Sequence, residues 1–287
     1  MKNCDINIRD PFVLFEDGKY YMYGTRAAHF GLASGGFDVY ISEDLENWSD
    51  GVSCFDSKKY SLNRGANWAP EVHHYRDAYY MLATFTRENG LRGTHILHSA
   101  SPLGPFEPHG RVCLTPDEWE CLDGTLFVDE NGTPYLVFCH EHTQIIDGTI
   151  CYVRLSDDLT APVGEVSTLF AASEPEWADG LPESDHYVTD GPFMHRTRTG
   201  ELLMLWSTFI GGKYAVCAVR FENGTLGENF EHLPPLSVED GGHAMIFSDD
   251  AHIYLTFHMQ NTGGHEYPVF YELCDRGDSL EIARKLK

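Results

Sequence analysis

The 287-residue chain has no apolar run approaching the roughly 18 residues needed to cross a bilayer, and its opening, MKNCDINIRDPF, lacks the apolar core of a secretory signal. Both absences predict a soluble, cytoplasmic protein. Positive charge is scarce: 20 Lys and Arg stand against 44 Asp and Glu, a formal net charge of −24. A field of that sign repels nucleic acid and anionic membranes, and is compatible with a neutral or cationic small partner such as a sugar. The acids are not gathered into blocks of five or six, and 42% of the residues are hydrophobic, so the chain folds around a core rather than forming an acidic tail. None of the eight cysteines forms a CxxC pair, and several sit in strand-like runs such as YLVFCHE and YAVCAVRF. Buried free thiols are therefore expected, in preference to disulfides or a zinc site.

Amphipathic helical periodicity is nearly absent. What recurs is short runs rich in Tyr, Phe, Val, Ile and Leu, separated by Gly, Asp, Asn and Pro, which is the pattern of strands and turns. FVLFEDGKYYMYGT turns at Asp17-Gly18 and TLFVDENGTPYLVFC at Asn131-Gly132, both hairpin signals. Five segments align with one another: DPFVLFEDGKYYMYGT from Asp10, APEVHHYRDAYYMLATF from Ala69, DGTLFVDENGTPYLVFC from Asp123, DGPFMHRTRTGELLMLWS from Asp190 and GHAMIFSDDAHIYLTFH from Gly242. Most are followed by a second hairpin-like unit. Starts about 50–70 residues apart suit four-stranded blades with generous loops. The expected fold is all-β, a five-bladed β-propeller occupying residues 1–287 as one domain; a β-sandwich is the alternative.

In a propeller the innermost strands run along a central channel, so equivalent ends of those strands meet at the axis. Asp10, Asp123, Asp190 and His243 are read here as equivalent positions, which gathers three carboxylates at one channel mouth. Three acids around a cavity suit glycoside hydrolysis: one protonated carboxyl donates to the leaving oxygen, one carboxylate activates water, and a third tunes the donor. Each acid taken singly is also a turn former, as Asp17-Gly18 and Asp147-Gly148 show.

The stretches IRDPFVLFEDGKYYMYGT, NWAPEVHHYRDAYYMLATF, ECLDGTLFVDENGTPYLVF and VTDGPFMHRTRTGELLMLWS, with SPLGPF and GGHAMIF, resemble the strand motifs of glycoside hydrolase family 43. That family comprises five-bladed β-xylosidases, α-L-arabinofuranosidases and arabinanases, and the resemblance runs from about Ile8 to Phe257. It implies an inverting hydrolase of β-D-xylosidic or α-L-arabinofuranosidic bonds in plant-derived oligosaccharides. It further implies Asp10 as general base, Asp123 as the carboxylate that modulates and orients the acid, and Asp190 as general acid. Asp190 stands where most of the family has a Glu in an EGP context, so a non-catalytic sugar-binding propeller is the alternative function.

Trp68 in NWAPE is a candidate sugar platform or a core residue, and Glu71 in the same motif a substrate contact or half of an ion pair with an Arg. His243 resembles the family's channel histidine, which faces an axial calcium ion or water. No cofactor is expected for catalysis; a structural calcium would meet His243 through water, because calcium prefers oxygen. Glu141, in CHEHTQ, lies at a strand end where it could reach the sugar; this stretch lacks the spacing of a zinc hydrolase. The acidic loops DEWECLD and SEPEWADGLPESDHY are expected over the channel mouth, with Glu176 and Glu183 as substitutes for Asp190.

Overall fold

The computed structural model describes residues 1–111, 113–261 and 264–286. Among the described residues, twenty strands form five four-stranded antiparallel sheets, each built from consecutive strands. Blade 1 holds β1 (Ile8–Glu16), β2 (Lys19–Arg26), β3 (Gly36–Ser42) and β4 (Val52–Asp56); blade 2 holds β5 (Asn67–Tyr75), β6 (Ala78–Thr86), β7 (Arg92–Ser99) and β8 (Glu107–Pro108). Blade 3 holds β9 (Cys121–Val128), β10 (Pro134–His140), β11 (Thr149–Leu155) and β12 (Pro162–Ala171). Blade 4 holds β13 (Asp190–Arg196), β14 (Leu202–Ile210), β15 (Lys213–Phe221) and β16 (Phe230–His232), and blade 5 holds β17 (Gly241–Ser248), β18 (Ile253–Met259), β19 (Tyr267–Asp275) and β20 (Leu280–Lys285). The innermost strands β1, β5, β9, β13 and β17 touch in a ring, with β17 closing onto β1. This is a five-bladed β-propeller, not a sandwich.

The core lies between blade faces. Leu122, Val137, Phe170 and Trp206 fill the space between blades 3 and 4, while Leu205, Ile246, Leu255 and Phe257 fill that between blades 4 and 5. Middle strands such as β14 and β15 are apolar on both faces because they are covered on both faces. The outermost are short or exposed, as in β16 with three residues and β20, where no residue is buried. The ring is latched near the chain ends: the Ile8 amide donates to the Glu266 carbonyl at 2.9 Å, and Arg9 pairs with the Glu266 carboxylate at 3.4 Å. Six of the cysteines are buried, and all eight are free thiols, as expected.

One irregularity, repeated five times, positions the site. Each innermost strand breaks register with its neighbour near its start, after Arg9, Trp68, Leu122, Asp190 and Gly242. The next residue has a left-handed backbone: Asp10 (φ 54), Ala69 (φ 46), Asp123 (φ 54), Gly191 (φ 50) and His243 (φ 55). Such bulges bend a strand and re-aim its side chains. Their phase corrects one expectation: Asp10, Asp123 and His243 are equivalent, but their counterpart in blade 4 is Gly191. Asp190 sits one residue earlier, where blade 1 has Arg9. The glycine is required there, since a Cβ on Gly191 would lie 2.8 Å from the His243 ring.

Candidate active site

Each left-handed residue presents a buried backbone amide that the broken ladder cannot pair, and the preceding blade supplies the partner. Ala69 donates to Thr25 Oγ1 at 2.7 Å, Asp123 to Thr84 Oγ1 at 2.9 Å, His243 to Ser207 Oγ at 2.9 Å and Asp10 to His258 Nδ1 at 3.2 Å. Thr25 also donates to Asp10 Oδ2 at 2.6 Å, fixing that carboxylate. Burial, with the charge of Arg9 nearby, holds His258 down to about 4, so its imidazole is neutral and can accept.

The imidazole of His243 is the hub. Its Nδ1 lies 2.9 Å from Asp190 Oδ1, 3.4 Å from Asp10 Oδ1 and 3.5 Å from Asp123 Oδ2. Burial opposes charge on His243, but the carboxylates of Asp10, Asp123 and Asp190 outweigh it and lift the group to about 10. Burial, followed by the charge of Asp190, raises Asp123 well above the usual carboxylate range. Burial also presses Asp190 upward, yet hydrogen bonding with Asp123 and His243 overcomes it and keeps Asp190 well below that range. Asp123 and Asp190 thus act as a coupled carboxyl pair sharing one proton, set against the positively charged imidazole of His243.

The cluster forms the floor of a cavity of about 340 Å³. Trp68 lines it, with its ring already engaged: Phe30 stacks on it at 4.9 Å between centroids, and the Arg92 guanidinium lies over it at 4.9 Å. Glu141 also lines the cavity, bound to Arg92 Nη2 at 2.7 Å and His142 Nε2 at 3.1 Å, so it orients those two side chains. Glu71 is not a lining residue. Strand alternation beyond the bulge turns it away, and it pairs with His73 at 3.0 Å, not with an Arg. The loop before β13 walls the cavity through Leu181, Val188 and Thr189, whereas Glu176 and Glu183 are exposed and outside the lining, which removes them as substitute acids.

Sequence reasoning missed Arg9, Phe30, Arg92, Tyr214 and Asn261, all of which line the cavity. Arg9 adjoins Asp10 and so carried a signal. Tyr214 could have been found through Gly242, since any Cβ there would overlap its ring. Phe30 and Arg92 come from loop and strand edges with no periodic mark.

The cluster offers calcium few direct ligands: Asp123, Asp190 and His243 bring ligand atoms within 4.8 Å of one another, whereas calcium takes six to eight oxygens, so waters would have to supply the rest.

The sequence profile described as Glycosyl hydrolases family 43 matches residues 5–273. The endo-arabinase from Bacteroides thetaiotaomicron is 36% identical, with a TM-score of 0.86 over 94% of this chain and 95% of that one. The chain belongs to glycosyl hydrolases family 43. A thermostable family-43 glycoside hydrolase (23% identity, TM-score 0.84, 97% and 93% covered) and the endo-1,4-β-xylanase from B. thetaiotaomicron (23%, 0.81, 97% and 95%) share the fold. No curated protein sequence matches the chain.

Proposed function

We propose that this family 43 propeller hydrolyses α-L-arabinofuranosidic or β-D-xylosidic bonds at the end of short plant-derived oligosaccharides. The observation that carries this is the convergence of Asp10, Asp123 and Asp190 on one imidazole nitrogen at the floor of a cavity. Similarity to an endo-arabinase favours the arabinofuranosidic bond. A cavity near the small end of ligand pockets suits a terminal sugar and its neighbour.

Asp10, oriented by Thr25, takes a proton from water as the water oxygen attacks the anomeric carbon. The glycosidic bond breaks, and Asp190 gives its proton to the leaving oxygen. The proton that Asp123 and Asp190 share must stand on Asp190 as the bond breaks. Asp10 and Asp190 approach the same nitrogen so closely that their nearest oxygens are nearer than the ~6.5–9.5 Å of inverting pairs. A swing of Asp190 off His243 as substrate enters widens that gap and makes room for the attacking water. Its side chain, 24% exposed against 8% or less for the other two acids, is the one with room to move.

One observation favours a second reading, a sugar-binding propeller: the Asp190 carboxylate is held on His243 Nδ1 at 2.9 Å. Cleavage of arabinobiose and xylobiose beside dinitrophenyl glycosides decides between them. Asp190→Ala is expected to lose about 10²-fold or more on the disaccharides while sparing much of the activity on dinitrophenyl substrates, whose leaving group departs unprotonated. Equal losses on both refute the donor role; saturable binding with no release by the wild type supports the binder.

A further inference from the structure

Four of the five bulge amides are capped from the second strand of the preceding blade, by Thr25, Thr84, Ser207 and His258. These residues occupy matched places, each paired with the residue just before a bulge: Arg9↔Thr25, Trp68↔Thr84, Asp190↔Ser207 and Gly242↔His258. In blade 3 the matched pair is Leu122↔Cys139. Cys139 is fully buried, and its sulfur is a weak acceptor where the other blades place oxygen or an imidazole nitrogen. The amide it would cap, that of Gly191, donates instead to Asp123 Oδ2 at 3.3 Å. The break in the pattern falls between the two carboxyls that share the proton.

We propose that this hydrogen bond from the Gly191 amide, freed by sulfur at position 139, is a positioning contact that ties Asp123 to the strand start carrying Asp190 for proton exchange between them. The inference rests on the hydrolase reading and deepens it. Asp123 is faced by Asp190 of β13, Asp10 of β1, His243 of β17 and Cys139 of β10, and its own backbone is pinned by Thr84 of β6. Among these contacts the Gly191 amide is a neutral donor, and a donor to a carboxylate favours its ionised form. It therefore eases release of the proton that Asp190 needs.

Cys139→Ser and Cys139→Thr restore the hydroxyl used by the other blades. Either should draw the Gly191 amide away, so that the pair holds its proton more tightly. The alkaline limb of the kcat/KM profile is then expected to move up by about half to one pH unit, the scale of one hydrogen bond, with kcat reduced. Cys139→Ala offers no acceptor and should leave the limb in place while lowering stability. An unmoved limb in the folded Ser or Thr variant, or equal movement in the Ala variant, overturns the proposal. A measurement on the wild type needs no variant: the Gly191 amide resonance should titrate together with the ¹³C carboxyl signal of Asp123, assigned with Asp123→Asn. An amide indifferent to that titration refutes the contact. Absence of turnover with this co-titration intact would sink the hydrolase reading alone.

Discussion

Asp190 is one methylene shorter than the glutamate that most of the family carries, and the geometry shows where the missing length goes. The carboxylate lies on His243 at 2.9 Å, with Asp123 beside it, on the floor of the cavity it lines. Asp190→Glu should restore reach, and kcat on arabinobiose is expected to rise by several-fold without loss of fold; a drop below the wild type in steady-state assays would show that the short acid is fitted to this site. Asp10→Asn should lower turnover on every substrate by about 10²–10⁴-fold, with thermal unfolding unchanged, because an amide cannot accept the water proton. The three acids were legible in the sequence because each opens an aligned repeat. The charge state of Asp190 was not, since it depends on His243, whose nitrogen meets three carboxylates only after the ring closes. Glu71 misled for a related reason: proximity in sequence to Trp68 says nothing about the side of the strand to which a bulge turns it.

At the scale of the strand, the site is made by five bulges and the caps that satisfy them. Thr25 is the most heavily committed cap, accepting from Ala69 and donating to Asp10. Thr25→Val keeps the shape and removes both bonds, leaving a buried amide without a partner at a cost of about 1–3 kcal/mol. The urea midpoint should fall accordingly and kcat with it; an unchanged midpoint would mean the caps are dispensable. The sequence held the information to phase the repeats correctly. Pro11, Pro70 and Pro192 each follow the left-handed residue, and aligning on them puts Gly191 opposite Asp10. Aligning on the acid instead of the proline produced the one-residue slip at Asp190. Middle strands such as β14 were readable because burial on both faces makes them continuously apolar. Outer strands such as β8, of two residues, and β16, of three, are too short and too exposed to leave a pattern.

At the scale of the whole molecule, His243 is a cation at the meeting point of blades 1, 3, 4 and 5, held by an acid from each of the other three. Its folded-state value of about 10 lies above the ordinary 6.5. The stabilisation it gives is thus fully present below about pH 6.5 and is lost as pH rises toward 10. Unfolding midpoints of the wild type and His243→Gln should differ most near pH 6 and converge above pH 10, and a gap that widens with pH would contradict a charged imidazole. Because this cation already serves the acids, added EDTA is expected to change neither melting temperature nor initial rate; a calcium-reversible loss of either would place an ion in the channel. The account as a whole stands on Asp10 and Asp190 acting from opposite sides of the scissile bond after Asp190 leaves His243. The most direct test is ¹H NMR of the first sugar released from an arabinofuranosyl or xylosyl oligosaccharide, recorded before mutarotation. The account predicts the inverted anomer; the retained anomer, or no sugar released from either substrate, would contradict it.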